Sequence, residues 1–344
     1  MFYFMQIEYI GYGSCTGYGT AAKDYALALS QAGADVVFKP VDSNISRWFN
    51  PEDIIALKKL RNKVVTSKDV VQVFHFIPDT QRRYTYKRKN KTVGFATFEA
   101  NKAPSHWMKY LKSNSLVITP SQFCYDTFSG NDLNLSNIPH CLNIDYWHPR
   151  KKIKNNKFTF MAIGAWRRRK GWLELSKAWE GMDDCHLKIV TDLEDKAKIK
   201  FGEFNNVSCH SKIQDMAAFM STADCIVCPT LGEGFGYVGA QALALGIPLI
   251  ITDYSGVKEY ANKDTCCLIP VEEMEVKSMM DNLFQFKGCQ WPVISPDILR
   301  VKMKEVQRNT DVYQKKAQRG CNFVRDMLSY GRVGKRFLTE LEGI

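Results

Sequence analysis

The opening forty residues set the kind of sheet this chain can build. Phe2 to Ile10 is an apolar, aromatic-rich strand. A glycine-rich turn follows, then Thr20-Ala-Ala-Lys-Asp-Tyr-Ala-Leu-Ala-Leu-Ser-Gln-Ala-Gly33, whose alanines and leucines read as a helix stopped at a glycine. Asp35-Val-Val-Phe-Lys39 is the next strand. A strand, a helix and another strand in that order make a parallel pair, because the helix carries the chain back over one face of the sheet. Further apolar strands are expected at Val70 to Phe76, Thr92 to Thr97 and Leu116 to Thr119, with helix-length segments between them. The alternation restarts with a strand at Phe158 to Gly164, a helix at Gly171 to Glu180 and a strand at Leu187 to Thr191. A helix at Gln214 to Thr222 then feeds a buried strand at Cys225 to Cys228, Pro248 to Thr252 is a later strand, and the tail from Asp297 is mainly helical. Between the two runs, Trp147 to Lys157 turns basic, polar and proline-interrupted, as an exposed connection does. Two α/β domains are expected, residues 1–150 and 151–327, with a cleft between them and ligands bound outside the carboxyl ends of the strands.

Composition narrows the class. At 344 residues, 45% hydrophobic, the chain can bury two cores of ordinary size. No apolar run approaches the roughly 18 residues needed to cross a bilayer. The Met1-Phe-Tyr-Phe start lacks a basic leader and a small-residue cleavage site, so a soluble, cytoplasmic protein is expected. The eleven cysteines are scattered and odd in number, which favours reduced thiols. Cys225-Ile-Val-Cys228 is the lone CxxC, and in a strand positions three apart face opposite sides, so neither a metal nor a redox role is expected of it. The net charge of +11 suits an anionic substrate, the surface of an acidic membrane or nucleic acid. Basic clusters at Gln81 to Lys91, Arg150 to Lys154 and Arg167 to Lys170 are each open to reading as solvated faces.

Gly17-Tyr-Gly-Thr-Ala-Ala22 matches the dinucleotide fingerprint G-x-G-x-x-A, and Asp42 lies past the following strand, where it could meet a ribose. That fingerprint should follow its strand directly, yet six residues separate Ile10 from Gly17. The preferred reading is a loop in which Gly13 and Gly17 let the backbone approach a ligand in the cleft. His75, at the end of an apolar strand, is a further candidate, although a lone histidine on such a strand is more often a satisfied core residue.

The second half carries the stronger motif. Glu233-Gly-Phe-Gly-Tyr237 lies between a strand ending at Pro229 and the helical run Val238 to Leu245. Gly234 and Gly236 keep the backbone bare there, and the first N–H groups of a helix make an anion site. Phosphate is the natural guest. A carboxylate is poorly suited to touch phosphate, so Glu233 more plausibly accepts hydrogen bonds from hydroxyls on whatever carries it, with a helix-capping role as the alternative. Gly164-Ala-Trp-Arg-Arg-Arg-Lys170-Gly171 closes the first strand of the same domain and should project cations from the same sheet edge. Together the two form a clamp for a diphosphate.

With these motifs in order, the chain resembles the retaining glycosyltransferases of the GT-B fold, the large family 4 group, known also as glycosyl transferases group 1. The resemblance covers nearly the whole chain. It takes in the N-terminal glycine loop, Gly94-Phe-Ala-Thr-Phe-Glu99-Ala, Val117 to Phe128, Ile138-Pro-His, Lys170-Gly171, Pro229 through Pro248 and Ser255-Gly-Val-Lys-Glu259. It implies two Rossmann-like domains facing each other across a cleft, a last helix (residues 328–344) crossing back to the first domain, and closure that completes the site. It implies that Lys170 neutralises a nucleoside diphosphate, that Gly236 and Tyr237 offer N–H groups to it beside Phe235, and that Glu233 binds sugar hydroxyls. The nucleotide base would meet backbone near Ser211-Lys-Ile213. Glu99, where many relatives carry a histidine, would contact a sugar hydroxyl or orient the acceptor, with a helix-capping or salt-bridged carboxylate as the equal alternative.

Two positions depart from the family. The arginine usual after the strand-end glycine, here Gly164, is Ala165, so Arg167, Arg168 or Arg169 must supply a second cation, and Arg169 is preferred. Gln241 stands where a second glutamate holds the ribose, and its amide accepts without charge assistance. The implied reaction transfers a hexose from GDP-mannose or a UDP-hexose to a hydroxyl acceptor such as a glycan, with retention. No metal and no cofactor are expected, the nucleotide sugar being a co-substrate, and Asp183-Asp184 reads as a solvated turn. A catalytically lapsed nucleotide-sugar-binding protein is the alternative, with an NAD(P)-dependent oxidoreductase behind it. Nucleic acid is not expected as a partner.

Overall fold

The structure, a computed structural model, describes residues 5–42, 44–81, 90–276 and 280–344. The chain forms two compact units. One takes in the residues up to Phe98, Ala103–Ile144 and Asp326–Ile344; the other takes in Glu99–Lys102 and Asp145–Arg325.

In the first unit, β1 (Gln6–Gly11), β2 (Asp35–Pro40), β3 (Val71–His75), β4 (Thr92–Phe95), β5 (Leu116–Thr119) and β6 (Leu135–Asn137) make one parallel sheet in the order β2-β1-β3-β4-β5-β6. Its crossovers carry α1 (Gly17–Gln31), α2 (Pro51–Arg61), α3 (Pro78–Gln81), α4 (Ser105–Leu111) and α5 (Gln122–Phe128). The second unit repeats the plan with β7 (Phe158–Ile163), α6 (Trp172–Trp179), β8 (Cys185–Val190), α7 (Glu194–Phe201), β9 (Val207–His210), α8 (Met216–Met220), β10 (Cys225–Cys228), α9 (Tyr237–Ala244), β11 (Leu249–Thr252) and β12 (Cys267–Ile269). Its sheet runs β12-β11-β10-β7-β8-β9, all parallel. A small antiparallel pair follows, β13 (Met274–Val276) with β14 (Gln290–Pro292), and then α10 (Pro296–Arg308), α11 (Thr310–Met327) and α12 (Tyr330–Glu342). The α/β fold expected from the strand pattern is present twice.

Strand order places the site. In the second sheet the chain leaves β7 toward β8 on one side and leaves β10 toward β11 on the other, so the crossovers diverge between the neighbours β7 and β10. A crevice opens at such a switch point, at the carboxyl ends of the two strands.

Helix α12 packs on α1 inside the first unit, burying Val333, Phe337 and Leu341 beside Tyr25, Ala26 and Leu29. The helices touch so closely that a Cβ on Gly334 would stand 2.2 Å from the Ala28 carbonyl oxygen. Beneath this contact lies a buried ionic cluster. Lys23 Nζ binds Asp53 at 2.5 Å and also Asp24, Tyr330 donates to Asp24, and Asn50 and Asn143 donate to Asp53 at 2.6 and 2.8 Å. Burial lifts the Asp24 carboxyl to about 6 despite the Lys23 charge. His75 is also wholly buried, with Tyr9 OH 2.7 Å from its Nδ1 and its ring stacked on Phe95 at 3.7 Å, and burial holds it well below the usual histidine range. The core reading therefore accounts for it. Of the basic clusters, Arg82 to Lys89 lie outside the described residues. Arg150 pairs with Asp215 and Lys152 with Asp224, each at 2.8 Å, so the Arg150 to Lys154 run is stitched to the second unit. Among the described residues, no helix is long and apolar enough to cross a membrane.

Candidate functional site

The cationic turn after β7 is held on several sides. Gly164 N–H bonds to the Val190 carbonyl at 3.0 Å, and Trp166 N–H donates to Asp192 Oδ1 at 2.6 Å. The Trp166 ring stacks on Trp172 at 5.3 Å, and Trp172 Nε1 donates to the Ala165 carbonyl at 3.0 Å. One 3-10 turn, Arg168–Lys170, leads to Gly171 at φ 76°. A Cβ at Gly171 would lie 1.9 Å from the Pro229 carbonyl oxygen, so this glycine answers both to a left-handed backbone and to a close approach. It lets the turn after β7 press against the end of β10. Leu231 N–H and Thr230 Oγ1 then both donate to the Arg169 carbonyl, at 2.7 and 3.2 Å. Two loops distant in sequence become one surface.

Glu233 sits on that surface. Lys170 Nζ lies 2.5 Å from its Oε1, Arg169 lies 3.3 Å from its Oε2, and Thr230 Oγ1 lies 3.2 Å from Oε1. Its own N–H donates to Ser255 Oγ at 2.9 Å and its carbonyl accepts from Gly256 N–H at 2.9 Å, which anchors the loop to the Ser255–Glu259 turn. Burial pushes the Glu233 carboxyl up, and the charges of Lys170 and Arg169 more than reverse this, holding it below the ordinary glutamate value. Of the three arginines, Arg169 is the one that reaches Glu233. Arg168 forks onto Glu174 at 2.6 and 2.8 Å, and Arg167 is exposed.

Glu99 joins the same group, its Oε1 2.9 Å from an Arg169 terminal nitrogen. Segment Glu99–Lys102 belongs to the second unit although it lies in the middle of the first 150 residues. Gly232 makes room for it, since a Cβ there would stand 2.2 Å from the Glu99 carbonyl oxygen. The structure thus brings together Glu99, Arg169, Lys170 and Glu233, all in one unit, with Gly164 against the Lys170 side chain. It adds one residue that sequence reasoning missed. Asp281 accepts from Arg168 N–H at 2.6 Å and lies 3.5 Å from Arg169 Nε. Nothing in the neighbouring sequence signals it, because its partners are more than a hundred positions away.

The glycine motif opens α9 as expected of a bare helix start. Gly236, at φ 87°, precedes Tyr237, and no side chain caps the helix. Tyr260 OH donates to the Gly236 carbonyl at 2.5 Å, and a Cβ on Gly236 would meet that hydroxyl at 2.8 Å. The Gly234 carbonyl packs where a Cβ on Gly256 would be 2.1 Å away. Phe235 is buried between the rings of Tyr237 and Tyr260, so its side chain packs inward. Gln241 is nearly buried within α9, and Ile213 is half-buried in the loop after β9, beside Lys212 at φ 54°.

Gly13 and Gly17 lie in the first unit, Gly13 in the loop after β1 and Gly17 as the first residue of α1. There Asp42 accepts from Gly13 N–H at 2.6 Å and Ser14 N–H at 3.0 Å, and a Cβ on Gly19 would strike the Ser14 carbonyl at 1.8 Å. Both features of the dinucleotide match, the aspartate and the second glycine, are accounted for by this loop's own closure. Asp183 and Asp184 precede β8, at the amino ends of the strands, whereas the cations follow the carboxyl end of β7, and Asp184 accepts from Gln307 at 2.7 Å.

Two six-stranded parallel sheets, with cations and a glycine-lined helix start at the switch point of the second, are the architecture of GT-B proteins. Solved structures of that type superpose along nearly the whole chain. The HepE protein of Anabaena in complex with UDP-glucose has a TM-score of 0.73 at 13% identity, covering 99% of this chain and 100% of that one. The sucrose-phosphate synthase of Thermosynechococcus elongatus has a TM-score of 0.72 at 13% identity, covering 98% of each chain. Residues 157–285 match the family model described as Glycosyl transferases group 1, and the chain has the GT-B fold. TuaC of Bacillus subtilis strain 168, named as a glycosyltransferase of teichuronic acid biosynthesis, is 27% identical over 143 residues. That match spans 40% of this chain and 35% of TuaC.

Proposed function

We propose that the chain transfers a hexose from a nucleoside-diphosphate sugar, GDP-mannose or a UDP-hexose, to a hydroxyl of a glycan acceptor with retention of anomeric configuration. The observation that carries this is the cluster at the β7–β10 switch point: Lys170 and Arg169 on one loop, Glu233 on the other, beside the uncapped start of α9. A diphosphate leaving group gains negative charge as the sugar becomes oxocarbenium-like. Lys170 and the α9 N–H groups stabilise that charge, with Arg169 behind them as the second cation. Glu233 accepts from sugar hydroxyls and Glu99 from a hydroxyl of sugar or acceptor, while Gln241 meets the ribose and the Ile213 loop the base. Side chains and N–H groups carry the counter-charge, so the reaction needs no metal. HepE, of the same fold, was solved with UDP-glucose, and TarM of S. aureus with UDP and a GlcNAc-glycerol, which supports a nucleotide-sugar donor and a hydroxyl acceptor.

A panel of UDP- and GDP-sugars, tested for a rise in unfolding temperature, identifies the donor, since a bound ligand stabilises by RT ln(1 + [L]/Kd). The anomeric proton of the product then reports retention. No stabilisation by any nucleotide sugar, together with stabilisation by NADH, would replace this reading with the oxidoreductase. Gln241 and Ala165, each lacking a charge that related chains use, favour a second reading as a binding protein. Donor binding without acceptor-dependent release of nucleoside diphosphate would establish it.

A further inference from the structure

Resting on the donor site just proposed, we infer that Asp281 is a positioning residue that holds the Arg168–Lys170 turn, and so Lys170, in its working place. The turn has no cap of its own, because Arg167 precedes it without a side-chain hydrogen bond. Its first N–H, that of Arg168, is answered instead by Asp281 Oδ1 at 2.6 Å from 113 positions away. The other oxygen, Oδ2, lies 3.5 Å from Arg169 Nε, is buried and makes no hydrogen bond among the described residues, so its interaction with the turn is electrostatic. The Asp281 side chain is 2% exposed.

Two features make this more than incidental packing. Asp281 adopts φ 55°, ψ 19°, a left-handed conformation that costs about 1–2 kcal/mol in a non-glycine residue and that aspartate tolerates better than most. Its charge also completes the set around Arg169. Asp281 faces Nε, Glu99 and Glu233 face the terminal nitrogens, and the Gly232 carbonyl accepts from one of them at 3.2 Å. Arg169 is therefore held on every side, and its neighbour Lys170 is presented by a turn whose start and middle are both tied to Asp281. Arg168 is drawn away to Glu174, so it does not compete.

The test uses the full chain with Asp281→Ala, Asp281→Asn and Lys170→Ala. Hydrogen–deuterium exchange of the peptide spanning Trp166 to Trp172 needs no donor. In Asp281→Ala, exchange at the Arg168 amide should quicken by about tenfold or more, as expected for loss of a hydrogen bond to a charged acceptor. Asp281→Asn keeps an acceptor oxygen and should restore most of that protection. With UDP-glucose and GDP-mannose as probes, Asp281→Ala should lower kcat/KM on the order of 100-fold by misplacing Lys170. Asp281→Asn should raise the donor KM while leaving kcat near the parent value. Parent-like exchange and parent-like donor KM in Asp281→Ala would overturn the inference, as would exchange in Asp281→Asn as fast as in Asp281→Ala. Undiminished turnover in Lys170→Ala would instead sink the donor-site reading, and the exchange result would still decide whether Asp281 holds the turn.

Discussion

Glu233 pairs with Lys170, and this makes a prediction with two opposite signs. Replacing it by glutamine keeps its shape and removes its charge. Lys170 Nζ then loses a carboxylate 2.5 Å away, while Arg169 keeps Glu99 at 2.9 Å and Asp281 at 3.5 Å. Unit charges about 4 Å apart attract by roughly 4 kcal/mol at an effective dielectric constant of about 20. The Lys170 and Glu233 side chains are 19% and 14% exposed, and solvent screening reduces the net to about 1–2 kcal/mol. In the proposed donor site that energy is spent when a diphosphate displaces Glu233. Glu233→Gln should therefore bind UDP or GDP about 5- to 30-fold more tightly by titration calorimetry. The same variant loses charge-assisted bonds to sugar hydroxyls, worth about 1.5–3 kcal/mol, and should transfer sugar about 10- to 100-fold more slowly in kcat/KM. Weaker nucleotide binding in Glu233→Gln would refute the reasoning, because it would mean that Glu233 and phosphate do not compete for Lys170.

Three further outcomes follow from the packing. Gly171→Ala places a methyl group where the Pro229 carbonyl stands, in a left-handed backbone, and should cost more than about 2 kcal/mol in denaturant unfolding while raising the donor KM. Gln241→Glu should tighten donor binding about 5- to 10-fold by adding charge to the proposed ribose contact, at some cost in stability because the position is nearly buried. Lys23→Met strands two buried carboxylates and should destabilise the chain by about 3–5 kcal/mol at pH 7, a deficit that shrinks in acid as they protonate. In the parent chain, Asp24 at about 6 binds its proton more tightly folded than unfolded. Its contribution to stability is therefore present below pH 4 or so and fades as pH rises through about 6, which unfolding midpoints between pH 4 and 7 would follow.

The sheet was legible where its strands are central. Val71–His75, Thr92–Phe95, Leu116–Thr119, Phe158–Ile163 and Cys225–Cys228 are apolar runs between turn signals, and each sits between two neighbours. The strands that escaped notice are β6, β9 and β12, all at sheet edges. Val-Ser-Cys-His is half-buried throughout and Leu-Ser-Asn is a three-residue strand, so neither has an apolar period to detect. β13, exposed throughout, was silent for the same reason, and β14 is only three residues long. At the site, local signals were readable: glycines before a helix, cations after a strand. The pairing of Arg169 with Glu99 and the tie from Asp281 were not, since a contact across 70 or 113 positions leaves no local pattern.

Acceptor-dependent release of UDP or GDP from the donor that stabilises the protein, measured for the parent chain and for Lys170→Ala, tests the central claim most directly. The account predicts turnover in the parent and a loss on the order of 100-fold or more in the variant, the scale of removing one preorganised group that stabilises developing charge. Equal rates in the two proteins would contradict it.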